Sequence, residues 1–232
     1  MIHARTFAVC AVGIVCSAHV LDAQGLSQYR NFELGSDVAS VSALAGVAAS
    51  DAKVIHQRPA VLRDLNWRPS RWDAGSIASS TDPVERIRFS FYNDRLFRVV
   101  VDYGSQRTEG MTPADMIEAI SAVYGTAVLR SSGSSTRAAS RLEAESGPPV
   151  ARWGDVDHTV ALFQTSSSRA AFRLIVTVVR LDGLAADAEV QAIRLDDQEA
   201  PNRETARQQK ERDDASAAAA KARDANKGAF RP

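Results

Sequence analysis

The stretch 84-VERIRFSFYNDRLFRVVVDY-103 decides the fold. In its first half apolar residues such as Ile87 and Phe89 alternate with polar ones, which is typical of a strand buried on one face. Asn93 and Asp94, two residues that favour turns, interrupt the alternation before an apolar second half. The stretch therefore predicts an antiparallel β-hairpin.

Two registers of this hairpin place different residues on its buried face. A two-residue loop at Asn93 and Asp94 puts Arg98 on the face that carries Phe89. A three-residue loop that also includes Arg95 puts there instead the apolar residues Phe97, Val99 and Val101. Burial favours the three-residue loop, because a slip of one residue moves a whole apolar set to the other face.

A capped helix is predicted on each side of the hairpin. Ser36 is a suitable N-cap for the first helix, an acidic residue follows it, and Gly46 ends the helix. Thr112 caps the second helix, with Pro113 at its first position and Gly125 at its end. This shared plan fits either a distant duplication or two ordinary capped helices.

The remaining apolar runs predict five further strands and one further helix. The strands lie at 54–55 and 61–65, both read as edge strands, and at 150–153, 160–163 and 172–181; a turn at Asp182 and Gly183 leads to the helix at 184–195. The predicted fold class is α+β, an antiparallel sheet with short capped helices packed on one face.

Composition divides the 232 residues into five segments. They are a signal peptide at 1–23, an α+β domain or half-domain at 24–129, a linker or long loop rich in serine, alanine and glycine at 130–149, the completing strands and helix at 150–195, and a charged tail at 196–232. The tail has no large apolar residue before Phe230, so it is either a solvated helix or disordered.

The first residues have the three parts of a secretory signal peptide. Arg5 gives a positive start, and the apolar run at 7–16 is too short for the roughly 20 residues that span a bilayer. Cleavage is expected after Ala18 or Ala23. The expected location is therefore the periplasm or the exterior, with no membrane span after cleavage.

Both cysteines, Cys10 and Cys16, lie in this leader. The mature protein is therefore expected to have no disulfide and to depend on its packed core. Acylation of Cys16 is the minority alternative, because Gly13 and Val15 do not match the pattern expected before a lipidated cysteine.

Charge and motifs exclude several classes of function. Lysine plus arginine equal aspartate plus glutamate at 28 each, so no overall field favours nucleic acid or an anionic membrane. No glycine-rich phosphate loop follows a strand and no Gly-x-Ser-x-Gly elbow is present, so no cofactor is expected.

Two clusters are candidate sites. Trp67, Arg68, Arg71 and Trp72 form an aromatic and basic cluster that could bind a partner by stacking and arginine hydrogen bonds. The alternative is that the tryptophans cover the sheet edge. The weaker candidate, a metal site, consists of Asp155, Asp157 and His158.

Histidine chemistry gives the alternative function. A metal-independent hydrolase would use His56 or His158 with a nearby acid and serine. The more ordinary interpretation of each histidine is a surface or hydrogen-bonded residue.

Several stretches together resemble a family of exported bacterial proteins of unassigned activity. They lie at 29–44, 51–59, 82–103, 108–125 and 192–201. At the level of pattern, the capped helix at 35–46 followed by strands is similar to periplasmic outer-membrane assembly lipoproteins of the SmpA/OmlA type. The lipidation motif of those proteins is missing here, so no functional residue is transferred.

These observations lead to one functional expectation. The chain is expected to be an exported, non-enzymatic binding or assembly accessory of the cell envelope, with an envelope protein as its possible partner.

Overall fold

The computed structural model describes residues 25–69, 82–128, 146–229 and 231. The predicted leader, most of the 130–149 linker, Arg71 and Trp72 lie outside the described residues.

Seven antiparallel strands form one sheet, and two short strands form a separate hairpin. The short strands are β1 (Gln28–Tyr29) and β2 (Phe32–Glu33); the sheet contains β3 (Lys53–His56), β4 (Leu62–Trp67), β5 (Val84–Tyr92), β6 (Arg95–Gly104), β7 (Ala151–Gly154), β8 (His158–Gln164) and β9 (Ala170–Val178). The order in the sheet is β3-β4-β5-β6-β9-β8-β7. The predicted α+β class is confirmed.

The central hairpin is confirmed, but its loop differs from the prediction. Asn93 and Asp94 form a two-residue turn with φ angles of 45° and 65°, the left-handed region that such tight turns require. Phe89 still pairs with Val99, because the extra residue, Phe97, forms a bulge inside β6 and faces away from that pair. The three-residue loop was wrong because the bulge lies in the strand.

Helices α1 (Val38–Ala45) and α2 (Pro113–Tyr124) pack on one face of the sheet, here called the core face. The N-cap of α1 is Asp37, whose carboxylate accepts the Ser40 N–H, so the predicted cap at Ser36 was wrong by one residue. Thr112 caps α2 as predicted.

Two halves of the chain meet at the β6–β9 pair, where Val99 lies opposite Val176. Each half is a capped helix followed by an antiparallel meander, α1 before β3 to β6 and α2 before β7 to β9. The predicted edge position of 61–65 was wrong, because β4 pairs with β3 on one side and β5 on the other.

One long helix, α3 (Val179–Ala229), follows β9 directly. The predicted strand end at 181 and the turn at Asp182 and Gly183 were wrong, since both residues lie inside the helix. The tail is helical as far as Ala229, which confirms the helical alternative, and every described residue from 200 to 229 is exposed. Within the described ranges, no helix combines the length and the apolar character needed to cross a membrane.

Candidate functional site

The sheet face opposite the core face carries both apolar and charged side chains, and we call it the α3 face. Strand β5 alternates between the two faces, so Ile87 and Phe89 lie on the core face while Arg88 and Ser90 lie on the α3 face. The first turns of α3 pack there, with Leu181 against Phe97 in a small buried cluster.

A cleft of about 250 Å³ opens between the start of α3 and strands β3 to β6. We call it the arginine cleft. Its lining consists of Ile55, Leu62, Arg63, Asp64, Arg88, Ser90, Phe91, Phe97, Arg98 and Glu189. Apolar side chains and charged groups therefore share one concave site on the sheet.

A buried ion pair joins one wall of the cleft to the other. Nη2 of Arg98 on β6 donates to Oδ1 of Asp182 in the first turn of α3. Arg98 is 8% exposed and Asp182 is 1% exposed. Since breaking such a pair leaves a buried charge uncompensated, it holds α3 in position over the sheet.

Arg88 differs from the other arginines of the cleft. It makes no hydrogen bond or ion pair with any described residue, and its Nε is buried without an acceptor. Nε of Arg98 is buried without an acceptor as well. Leaving a buried donor unsatisfied costs about 1–3 kcal/mol, so both guanidinium groups have donor capacity that the described fold leaves unused.

The register of the hairpin places the two arginines side by side. Arg88 lies opposite Val100, and Ser90 lies opposite Arg98, so Arg88 and Arg98 are diagonal neighbours on the α3 face. Two adjacent arginine side chains thus line the same cleft.

The other polar groups of the cleft have partners. Ser90 Oγ donates to Asp64 Oδ1 at 2.7 Å, and Arg63 Nη1 lies 3.4 Å from Asp94 Oδ1. Three arginines and two carboxylates line the cleft, and two of these arginines, Arg63 and Arg98, pair with Asp94 and Asp182 outside the lining.

A second charged cluster lies further along the same face. Asp102 accepts from Arg86 Nη2 at 2.5 Å and from Arg173 Nε at 2.7 Å. Burial alone would raise the pKa of Asp102, but the hydrogen bonds from Arg173 and Arg86 outweigh burial and lower that pKa. Because the acid and both arginines satisfy one another, we assign this cluster to stability.

The predicted aromatic and basic cluster is only partly described. Trp67 ends β4 opposite Ile87, and its side chain is buried in the core. Arg68 is exposed, while Arg71 and Trp72 lie outside the described residues. Partner binding by these four residues stays a prediction.

The predicted metal candidates form a turn between β7 and β8. Oδ1 of Asp155 accepts the backbone N–H groups of Asp157 and His158, at 2.8 Å and 2.7 Å. The bonds from His158 and Asp157 lower the pKa of the Asp155 carboxyl. The described residues contain no group of three metal-binding side chains.

The two histidines proposed for hydrolysis lie far apart. His56 ends β3 and His158 begins β8, five strand spacings away, or about 24 Å at 4.8 Å per strand. No hydrogen bond links either imidazole to a serine in the described ranges. The hydrolase alternative gains no support from this geometry.

Sequence reasoning missed the arginine cleft. The available signal was Arg98, a charged residue within the apolar run 96–101, which indicates a buried cation that needs a partner. Its partner Asp182 is 84 residues away and was interpreted as a turn residue.

Comparison of the chain with protein families, with curated proteins and with solved structures found no match. The resemblance to exported bacterial proteins therefore stays a prediction, and the function must be inferred from the site itself.

Proposed function

We propose that this chain is an exported protein of the periplasm or the exterior that acts as a non-enzymatic binding or assembly accessory. The leader pattern at 1–23 supports export. The observation that carries the binding role is Arg88, a cleft-lining cation with no partner among the described residues. Such a group is available to a protein partner of the envelope.

The walls of the cleft support binding because they are held in place before any partner arrives. Arg98 and Asp182 join β6 to the start of α3, and both Nη atoms of Arg58 bind the Glu199 carboxylate further along the helix, at 2.9 Å and 2.8 Å. A preformed site loses less conformational entropy when it binds.

The cleft supports binding better than hydrolysis. Ser90 already donates its hydroxyl proton to Asp64, and neither His56 nor His158 makes a hydrogen bond with it. A serine nucleophile needs a base that an acid orients, which this pair lacks. A hydrolase assay of the purified protein and of Ser90→Ala separates the two candidates: serine-dependent turnover would replace the binding role.

Site-specific photo-crosslinking in the native host tests the binding role. The photoreactive residue p-benzoylphenylalanine replaces Arg63, which lines the cleft, or Arg169, an exposed control that does not. We expect a discrete adduct with an envelope protein from position 63 only, and we expect Arg88→Gln to reduce it. Equal adducts from both positions, or none from position 63, would contradict the proposal.

Sequencing the N-terminus of the mature protein tests export. Cleavage after Ala18 or Ala23 predicts a mature chain that starts at His19 or Gln24. A cell-associated protein that retains Met1 would overturn the export proposal.

A further inference from the structure

We propose that the arginine cleft binds a monoanionic carboxylate attached to one small apolar group, with Arg88 as the anion-binding residue. This inference deepens the proposed function, because it names the chemistry of the partner group that enters the cleft. Either a free apolar acid or the C-terminal residue of a protein chain presents this chemistry.

The charges that line the cleft favour one negative charge over two. Arg98 is paired with Asp182, and Arg63 with Asp94, whereas Arg88 has no ion pair with a described residue. The carboxylates of Asp64 and Glu189 also line the cleft. These two carboxylates repel a dianion such as a phosphate monoester more strongly than a monoanion, whereas a single carboxylate is enough to pair with Arg88.

The donor geometry suits a planar acceptor. A guanidinium presents its N–H donors in one plane, and a carboxylate can accept two of them in parallel. Nε of Arg88 and Nε of Arg98 are both buried without an acceptor and belong to diagonal neighbours. A carboxylate at this position would satisfy donors that are otherwise unpaired.

The apolar lining selects what the carboxylate is attached to. Leu62 and Phe97 are nearly buried, while Ile55 on the edge strand is 45% exposed. A volume of about 250 Å³ accommodates a group of the size of one amino-acid residue. The ligand is therefore a small amphipathic acid, such as a leucine that bears a free carboxylate.

Titration of the full mature chain with defined probes tests this chemistry, with the Nε–Hε NMR signals of arginine as readout. The probes are N-acetyl-leucine, its uncharged amide, inorganic phosphate, and a tripeptide that ends in leucine. We expect N-acetyl-leucine to shift the Arg88 signal and to bind at least about tenfold more tightly than the amide or phosphate. Tighter binding of the tripeptide identifies a chain end as the source, and equal binding identifies a free acid.

Two variants of Arg88 test its role, and a third variant is the matched control. Arg88→Gln should weaken N-acetyl-leucine binding about tenfold or more, and Arg88→Lys should restore part of it, because lysine keeps the charge without the planar fork. Arg169→Gln removes an exposed arginine outside the cleft and should leave binding unchanged. Thermal unfolding confirms that each variant is folded.

The outcomes separate this inference from the proposed function. Equal binding of acid and amide, or unchanged binding in folded Arg88→Gln, overturns the carboxylate assignment even if the crosslink at position 63 persists. Carboxylate binding that depends on Arg88 supports the assignment even if no envelope protein is crosslinked, and the accessory role alone then fails.

Discussion

The replacement Asp182→Asn tests whether the buried ion pair holds α3 on the sheet. The substitution keeps the size of the side chain but leaves the Arg98 guanidinium, which is 8% exposed, without its counterion. Removing one partner of a buried pair costs about 3–5 kcal/mol. For a domain of this size each kcal/mol lowers Tm by about 2–4 °C, so we expect a drop of at least about 6 °C.

Urea unfolding, followed by tryptophan fluorescence, measures the change in the free energy of unfolding. Trp153 is 1% exposed, so its fluorescence changes when the core unfolds. The matched control is Asp196→Asn on the same helix, where the exposed pair with Arg203 at 3.2 Å should contribute about 0–1 kcal/mol. If both variants unfold within about 1 kcal/mol of the wild type, the anchoring role of the buried pair is refuted.

Three further predictions concern the rest of the fold. The lowered pKa of Asp102 means that its stabilising contribution is complete above its ordinary value of 3.8 and declines as the pH falls through the folded-state pKa. The difference in the free energy of unfolding between the wild type and Asp102→Asn, measured by urea unfolding, should therefore decrease towards pH 2 and remain constant from pH 5 to 7. Gly183→Ala should stabilise α3 by about 0.5–1 kcal/mol, since nothing lies near the new Cβ. Gly154→Ala should destabilise the protein, because the new Cβ would meet a backbone oxygen at 2.8 Å. Calorimetry shows whether the Tm of each variant rises or falls. A chain that ends at Asn202 should keep its Tm but lose helical circular dichroism, because the deleted helical residues are exposed.

Local signals explain what could be predicted from the sequence. The alternation around Phe89 indicates its buried face, and the cap at Thr112 satisfies backbone groups within its own helix turn. Both depend on residues a few positions apart. The hairpin and α2 are therefore predicted within a few residues of their observed bounds.

Non-local contacts explain what could not be predicted. Asp182 and Gly183 resemble a turn locally, but the pairing of Asp182 with Arg98 stabilises a helix through them. Likewise, the inner position of β4 depends on its pairing with β5, and the bulge at Phe97 depends on packing against Leu62 and Leu181. The cleft combines these contacts, so the sequence indicates only one part of it, the cation Arg98 within the apolar run 96–101.

A crystal structure of the mature protein with N-acetyl-leucine tests the central claim most directly, because it locates the carboxylate. The account predicts the carboxylate about 2.7–2.9 Å from the Arg88 guanidinium nitrogens, with the leucine side chain against Leu62 and Phe97. A ligand bound elsewhere, or an Arg88 guanidinium that contacts only protein atoms in the complex, would contradict it.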